Sequence, residues 1–478
     1  MNVFQSDVVV LDIKWTSCTS RGYFLARIMY LFTLFARKLP SINPSMENLP
    51  EQVMVDILSR LPVKTIIHCK CVCKKWHNLV NDSYFINLHL SRSPAGFMAP
   101  HDPHISGGAT LKMGRIMKWV EIEDELDHHS LQPALNFDVN GFLGAPFPPT
   151  VLIPLGSVNG LICILHRGVN VNVDHIYICN PITREFLALP RQQNYKDADL
   201  IYKFGVNSLS AVPGGGRAGH TPWAQKYWGP KITYLYSRGP FIYISPRAQK
   251  MSGTGLNSLT GEYKLLGILQ MGPPARQSPL QVIVYTLGTS QWRSLGQAPE
   301  WIGGLDGPLL NGCFHLNVKG QGFPESIFTF DLDKETFQLF PSPPTQAGAM
   351  RECTESLAVF KGCLCKSYSC TSDSQITIWV MKQYGIKESW HKELLIAHSI
   401  CPGVDGVDWL LMRYIVYVFG VLRDGTILVV LGSKVLAYYP QSKTFERIEF
   451  SLGRFILLNH RPSFIKLKDI DSERVHTF

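Results

Sequence analysis

The stretch MENLPEQVMVDILSRLPVKTIIHCKCVCKKWHNLVNDSYFINLHLSRSP, residues 46–94, decides the N-terminal fold. Pro50 and Pro62 both stand where a helix begins, since proline is tolerated at a helix start. Between them Val53, Ile57 and Leu61 recur at i, i+4 and i+8, with Met54 and Leu58 alongside. That pattern predicts an amphipathic helix of about three turns. Ile66, Ile67, Lys70, Cys71 and Lys74 keep a helical rhythm from Val63 onward, and Leu79, Val80, Phe85 and Leu88 close the module. About 45 residues cannot bury a self-sufficient core, so apolar surface should be left for a partner.

Upstream, residues 1–45 form an extension that the working protein is expected to be able to omit, starting at Met46. Within it YFLARIMYLFTLFA, residues 23–36, invites a membrane reading. Arg27 interrupts the run, and the uninterrupted part, Ile28–Ala36, is far shorter than the roughly 20 residues a spanning helix needs. Membrane association is therefore not expected.

Downstream of residue 94 the period shortens to strands broken by Gly, Pro and Asn. A unit recurs: two apolar strands, a polar turn, an aromatic, then Leu or Ile two or three residues on. Gly160–Leu165 leads to IYICNPITREFLALP at 176–190, and Gly312–Leu316 leads to IFTFDLDKETFQLF at 327–340. The anchoring aromatics are Phe186, Trp292, Phe337, Trp390 and Phe445. Their first gap is about twice the others, so a divergent unit is expected near 230–245. Repeats of roughly 45–55 residues built from strands match β-propeller blades. The expected number is six to eight, with residues 110–135 contributing to the first blade and Phe455–Leu467 as the last strand.

Composition agrees with a strand-dense chain. Of 478 residues only 17% are charged, and Gly and Pro are frequent. The net charge of +9 is spread thinly: residues 1–45 hold five Lys/Arg against two Asp/Glu, and residues 46–94 hold six against four. No basic block suits a phosphate-tracking surface, so a nucleic-acid partner is not indicated. Twelve irregularly placed cysteines suggest free thiols in a reducing compartment. His68, Cys69, Cys71, Cys73 and His77 suggest metal at first glance. Cysteines at i, i+2 and i+4 do not share one helical face, so no metal is expected. Gly214-Gly215-Gly216-Arg217 lacks the ending of a phosphate loop. No cofactor or catalytic residue is called for, and Trp292, Trp379 and Trp390 read as blade core.

Residues 46–94 resemble the F-box. The residues that carry the likeness are Leu49-Pro50, Asp56-Ile57-Leu58, Arg60-Leu61-Pro62-Val63, Val72-Cys73-Lys74-Lys75-Trp76, Leu79 and Phe85. Asp56 stands where Glu is usual. Residues 95–478, most clearly 155–450, resemble the F-box-associated domain of the large plant F-box family, a kelch-like β-propeller. Its residues here are Gly156–Cys163, Asn180-Pro181-Ile182-Thr183-Arg184, Glu262-Tyr263-Lys264, Val284-Tyr285-Thr286-Leu287, Trp292-Arg293, Leu310-Asn311-Gly312 and Phe330-Asp331-Leu332. Ile378–Lys382 and Tyr384–Trp390 complete the set. Residues 205–255 depart from the family pattern.

The resemblance implies an α+β multidomain chain: a three-helix F-box, residues 46–94, followed by a mainly antiparallel propeller. It further implies a non-catalytic substrate receptor of a Skp–cullin–F-box ubiquitin ligase. Leu49, Pro50, Ile57, Leu61, Pro62, Val72 and Trp76 would form or support the surface for a Skp-type adaptor, and through it cullin. The propeller would hold a target protein, with Trp223, Tyr227 and Trp228 as candidate contacts because aromatics dominate interfaces. Such a receptor is expected in the nucleus, the cytoplasm or both. A binding module that delivers nothing for degradation, and a propeller enzyme or sugar-binding protein, stay open on the sequence.

Overall fold

The computed structural model describes residues 50–93, 96–101, 116–121, 135–138, 150–168, 174–190, 243–246, 262–270, 280–297, 302–304, 307–320, 323–344, 353–370, 375–397, 416–422, 424–431, 434–448 and 458–477. The chain divides into two compact units, with a boundary between Ser93 and Pro94.

Among the described residues the F-box region contains four helices where three were expected: α1 (Glu51–Leu58), α2 (Val63–Cys69), α3 (Lys74–Val80) and α4 (Ser83–Arg92). Pro50 and Pro62 occupy the positions just before α1 and α2, and their carbonyls accept the first helical N–H bonds from Met54 and Ile66. Cys73 caps α3, its sulfur accepting from the Trp76 N–H at 3.5 Å. The extra break comes from Asp82. Its carboxylate accepts from the backbone N–H groups of Tyr84 (2.8 Å) and Phe85 (3.4 Å), which starts a new helix where the apolar pattern alone reads as one closing segment. Met54, Leu58, Val63, Ile66, Cys69, Val80 and Phe85 are almost fully buried and form the core.

The second unit is a six-bladed antiparallel propeller. Blade 1 combines Gly96–His101, Ile116–Glu121 and Leu135–Asp138 with Leu458–His460, which pairs with Gly96–Met98. Blade 1 thus takes a strand from the other end of the chain, shorter than the expected last strand Phe455–Leu467 and followed by one more, Val475–Thr477. Blade 2 runs from Thr150–Val158 through Leu161–Gly168 and Asp174–Asn180 to Glu185–Ala188. Val475–Thr477 adds a fifth strand to its outer edge. Blade 3 is Tyr243–Pro246, Tyr263–Gln270, Leu280–Thr286 and Trp292–Gln297. Blade 4 centres on Cys313–Gly320, Phe323–Asp331 and Thr336–Phe340. Blade 5 spans Cys353–Ala397 and blade 6 Val416–Ile448. Most of the expected divergent unit near 230–245 lies outside the described residues. Its described part, Tyr243–Pro246, is the first strand of blade 3.

Strand alternation builds the core between blades. In blade 1, Phe97 and Val120 pack against blade 6, on Leu428, Val435 and Ala437. Their neighbours Met98 and Trp119 point to the opposite face, against Ile162, Ile164 and Cys179 of blade 2. Blade 6 repeats the device: Ile427, Val429 and Leu436 face blade 5, while Leu428 and Val435 face blade 1. Period-2 side chains with both faces buried explain why these strands read as continuous apolar runs.

Two kinds of hairpin recur. Asn159-Gly160, Asn311-Gly312 and Lys361-Gly362 each carry two successive positive φ angles, 49° and 82°, 51° and 75°, and 50° and 76°. Their flanking residues pair directly, which defines two-residue type I′ turns. The third and fourth strands of blades 2, 4 and 6 are joined by four-residue turns that end on Arg184, Glu335 and Lys443, all with φ near +55°. The five anchoring aromatics all fall on the fourth strand, opposite Cys179, Tyr285, Phe330, Met381 and Tyr438.

Candidate adaptor-docking surface and the staples of the propeller

In the helical unit the proposed docking residues separate by burial. Ile57 (6% exposed), Leu61 (4%) and Trp76 (6%) are buried, whereas Val72 is 51% exposed and Pro50 is exposed. Pro62 is half-buried. Ile57, Leu61 and Trp76 therefore belong to the packed interior of the module, and Pro50 and Val72 are the exposed apolar residues of the set. Leu49 lies outside the described residues. Val72 sits in the short turn between α2 and α3, closed by the Val72 N–H bonding to the Cys69 carbonyl. An exposed branched apolar side chain held in a tight turn is a ready contact for a partner groove.

Polar contacts hold that surface from behind. Asp56 on α1 pairs with Arg60 at 3.0 Å and with Arg92 on α4 at 2.8 Å. Arg92 also donates to the Asp56 carbonyl and the Ser59 hydroxyl. The bond from Arg60, reinforced by Arg92, holds the Asp56 carboxyl below the usual carboxylate range. His89 is buried and faces the Leu61 carbonyl (3.2 Å) and the Ser93 hydroxyl (3.1 Å). Burial pushes its pKa down to about 4, so it stays neutral and fixes the Leu61–Pro62 turn. The Asp56–Arg92 tie has no sequence-local signal, because its partners are 36 residues apart.

In the propeller the sequence signatures turn out to be staples between blades. The Trp292 indole donates to the Pro190 carbonyl, just beyond the last strand of blade 2, at 2.9 Å. The Trp390 indole does the same to Pro341, just beyond blade 4, at 3.0 Å. Trp379 is half-buried with Lys392 over its ring. Lys264 of blade 3 reaches the Leu332 carbonyl (3.0 Å) and Glu335 (2.7 Å) in the turn of blade 4, and Arg293 grips the same carboxylate. The hydrogen bond from Arg293 is the main reason the Glu335 carboxyl is held low. Asn180 donates to the carbonyls of Ser463 and Ile465, and Glu185 accepts from the Leu467 N–H, which straps the C-terminal segment across blade 2. Tyr384 closes the junction of blades 4 and 5, its hydroxyl 3.0 Å from His315 Nε2 and its ring against Phe340.

These signatures bond neighbouring blades to one another. The candidate target contacts Trp223, Tyr227 and Trp228 lie outside the described residues. Among the described residues no group of three His, Cys, Asp or Glu side chains could hold a metal, and no helix is long and apolar enough to cross a membrane.

Comparison with known families separates the same two units. The F-box-like family model matches residues 46–89, and that of the F-box associated beta propeller domain matches residues 244–417. The chain carries an F-box-like module and an F-box associated β-propeller. Its relatives bear the same stamp. F-box protein At3g07870 of Arabidopsis thaliana is 28% identical over 429 residues, covering 86% of this chain and 89% of that protein. F-box/kelch-repeat protein At3g23880 of the same plant is 24% identical, covering 74% and 80%. F-box protein CPR1, also from Arabidopsis thaliana, is 24% identical, covering 73% and 72%. Among solved structures, prolyl oligopeptidase B from Galerina marginata aligns at a TM-score of 0.32 with 10% identity, over 88% of this chain and 55% of that one. A score that low carries no argument about fold or activity. In F-box terms, the Leu-Pro pairs frame α1 and the Val72-Cys73 turn opens α3.

Proposed function

We propose that this protein is a substrate receptor of a Skp–cullin–F-box ubiquitin ligase. The observation that carries the reading is the F-box-like module with Val72 left exposed beside its supporting core. The module docks a Skp-type adaptor and through it cullin. The propeller holds a target protein near the charged conjugating enzyme. The chain forms and breaks no covalent bond; it raises the local concentration of target lysines at the thioester. A receptor of this kind works in the nucleus, the cytoplasm or both.

Proximity labelling with the intact protein and with Val72→Asp tests the reading. Targets remain labelled in both, while adaptor and cullin are lost from the variant. Adaptor and cullin labelled equally in both, or absent from both, would refute it. Targets that accumulate when the proteasome is inhibited distinguish delivery for degradation from binding alone.

A further inference from the structure

We propose that Cys71 and Cys73 are a thiol-modification site for glutathione disulfide, and that the mixed disulfide blocks adaptor docking. The inference rests on the adaptor reading above and adds a regulatory site to it. Three observations converge on the turn between α2 and α3.

The first is access. Cys71 and Cys73 are exposed, whereas Cys69, Cys163, Cys179 and Cys365 are buried. Burial pushes the thiols of Cys69, Cys179 and Cys365 up to about 12 and that of Cys163 well above its ordinary value. Those four are closed to an external disulfide and stay protonated. Thiol–disulfide exchange needs a reachable sulfur, which Cys71 and Cys73 provide.

The second is place. The two cysteines flank Val72, the 51% exposed side chain of the docking surface. A glutathionyl group on either sulfur puts a bulky anion beside Val72, where an apolar contact with the adaptor is required.

The third is charge. Between Asp56 and Asp82 the chain has no carboxylate, but it has Arg60, Lys64, Lys70, Lys74 and Lys75. Lys74 and Lys75 follow Cys73 directly and are exposed. Arg60 is paired with Asp56, so it is the lysines, Lys74 and Lys75 nearest of all, that draw an anionic disulfide to the turn. In the exchange the protein thiolate attacks one sulfur of glutathione disulfide, the S–S bond breaks, and a protein–S–S–glutathione bond forms. Glutathione leaves as its thiolate and takes up the proton the cysteine gave away. One disulfide replaces another, so no further oxidant is needed.

The test uses the full chain, reduced or treated with glutathione disulfide, freed of excess reagent, and then offered to a reduced Skp-type adaptor. Peptide mapping by mass reads the site, and binding reads its effect. Cys71→Ser/Cys73→Ser is the matched variant, and Ser at position 73 keeps a helix-capping oxygen. The expected result is glutathione on the 71–73 peptide with adaptor affinity reduced about tenfold or more. The variant should bind like the reduced protein and ignore the treatment. Modification elsewhere but not at these two thiols overturns the proposal. So does a modified protein that binds undiminished, or a variant that loses binding equally on treatment. If the reduced wild type does not bind the adaptor, the ligase reading and the docking block fall together, and the peptide map alone decides the modification site.

Discussion

The helical module and the propeller solve the same problem in opposite ways. The module is too small to hide all its apolar surface. Met54, Leu58, Ile66 and Phe85 fill its centre, while Val72 is left at 51% exposure. The propeller buries apolar side chains of its strands between blades, as Phe97, Val120, Leu428 and Val435 do between blades 1 and 6. Blades 1 and 6 bury both faces against neighbours, and Leu458–His460 pairs into blade 1 from the other end of the chain. A local apolar motif that ends partly exposed points to a partner. A distributed motif that ends buried or bonded between blades points to architecture. Val72 is therefore informative about binding, and Trp292, Trp390 and Lys264 are informative about folding.

That contrast is sharpest at Trp390. Its indole is 5% exposed, packs among Leu357, Leu364 and Met381, and bonds to Pro341 of the preceding blade. Trp390→Ala should destabilise the propeller by about 3–5 kcal/mol, and Trp390→Phe by less, with adaptor affinity unchanged in both. Calorimetric unfolding of the full chain reads the first effect and adaptor titration the second. A Trp390→Ala protein with an unaltered propeller transition would remove the staple from the account.

A smaller effect separates two turns of one type. Gly160 (φ +82°) and Gly362 (φ +76°) both sit in the left-handed region. A methyl at Gly362 meets nothing within 4 Å, but at Gly160 it would lie 2.6 Å from the Ser463 backbone nitrogen. Gly362→Ala should cost about 1 kcal/mol from backbone strain alone, and Gly160→Ala should cost clearly more by pushing away the C-terminal strap. Equal melting shifts for the two would show that the strap is not packed on blade 2.

The effect of pH falls on both units. His89 in the module and His315 in the propeller are held at about 4, and His460 at about 3, chiefly by burial. Each is below the ordinary value, so the unfolded chain takes up protons first as the solution is acidified. The stability these groups contribute is complete above about pH 6.5 and is lost as pH falls toward about 4. His89→Asn should flatten that loss in the helical signal and leave the propeller's slope in place. An unchanged helical slope would show that His89 is not the group involved.

How much of this was legible in the sequence follows from the same division. The Leu-Pro pairs and the Val72–Trp76 stretch marked the helical module because each fixes a helix start. Asp82 was readable as a cap but sits in an apolar-poor stretch where periodicity gives no boundary. The anchoring aromatics located the fourth strand of five blades correctly. The doubled gap before Trp292 falls mostly on residues 191–242, which lie outside the described ones, and only Tyr243–Pro246 is placed, as the first strand of blade 3. Closure by Leu458–His460 is a pairing across most of the chain, and no local pattern encodes it. The candidate docking residues were visible, but which of them point inward and which outward was not. Short helices bury residues on more than one side, and only packing placed Ile57, Leu61 and Trp76 inside. Arg92 was missed as the brace of Asp56 because the partners meet only after α4 folds back.

The central claim is that the helical module docks a Skp-type adaptor through exposed Val72 over a buried support. Titration of purified adaptor against the full chain, with helicity followed in parallel, tests it most directly. Val72→Asp should weaken binding about tenfold or more with helicity intact, while Leu61→Asp should abolish binding together with the helical signal. Wild-type affinity in Val72→Asp, or no affinity in the wild type, would contradict the account.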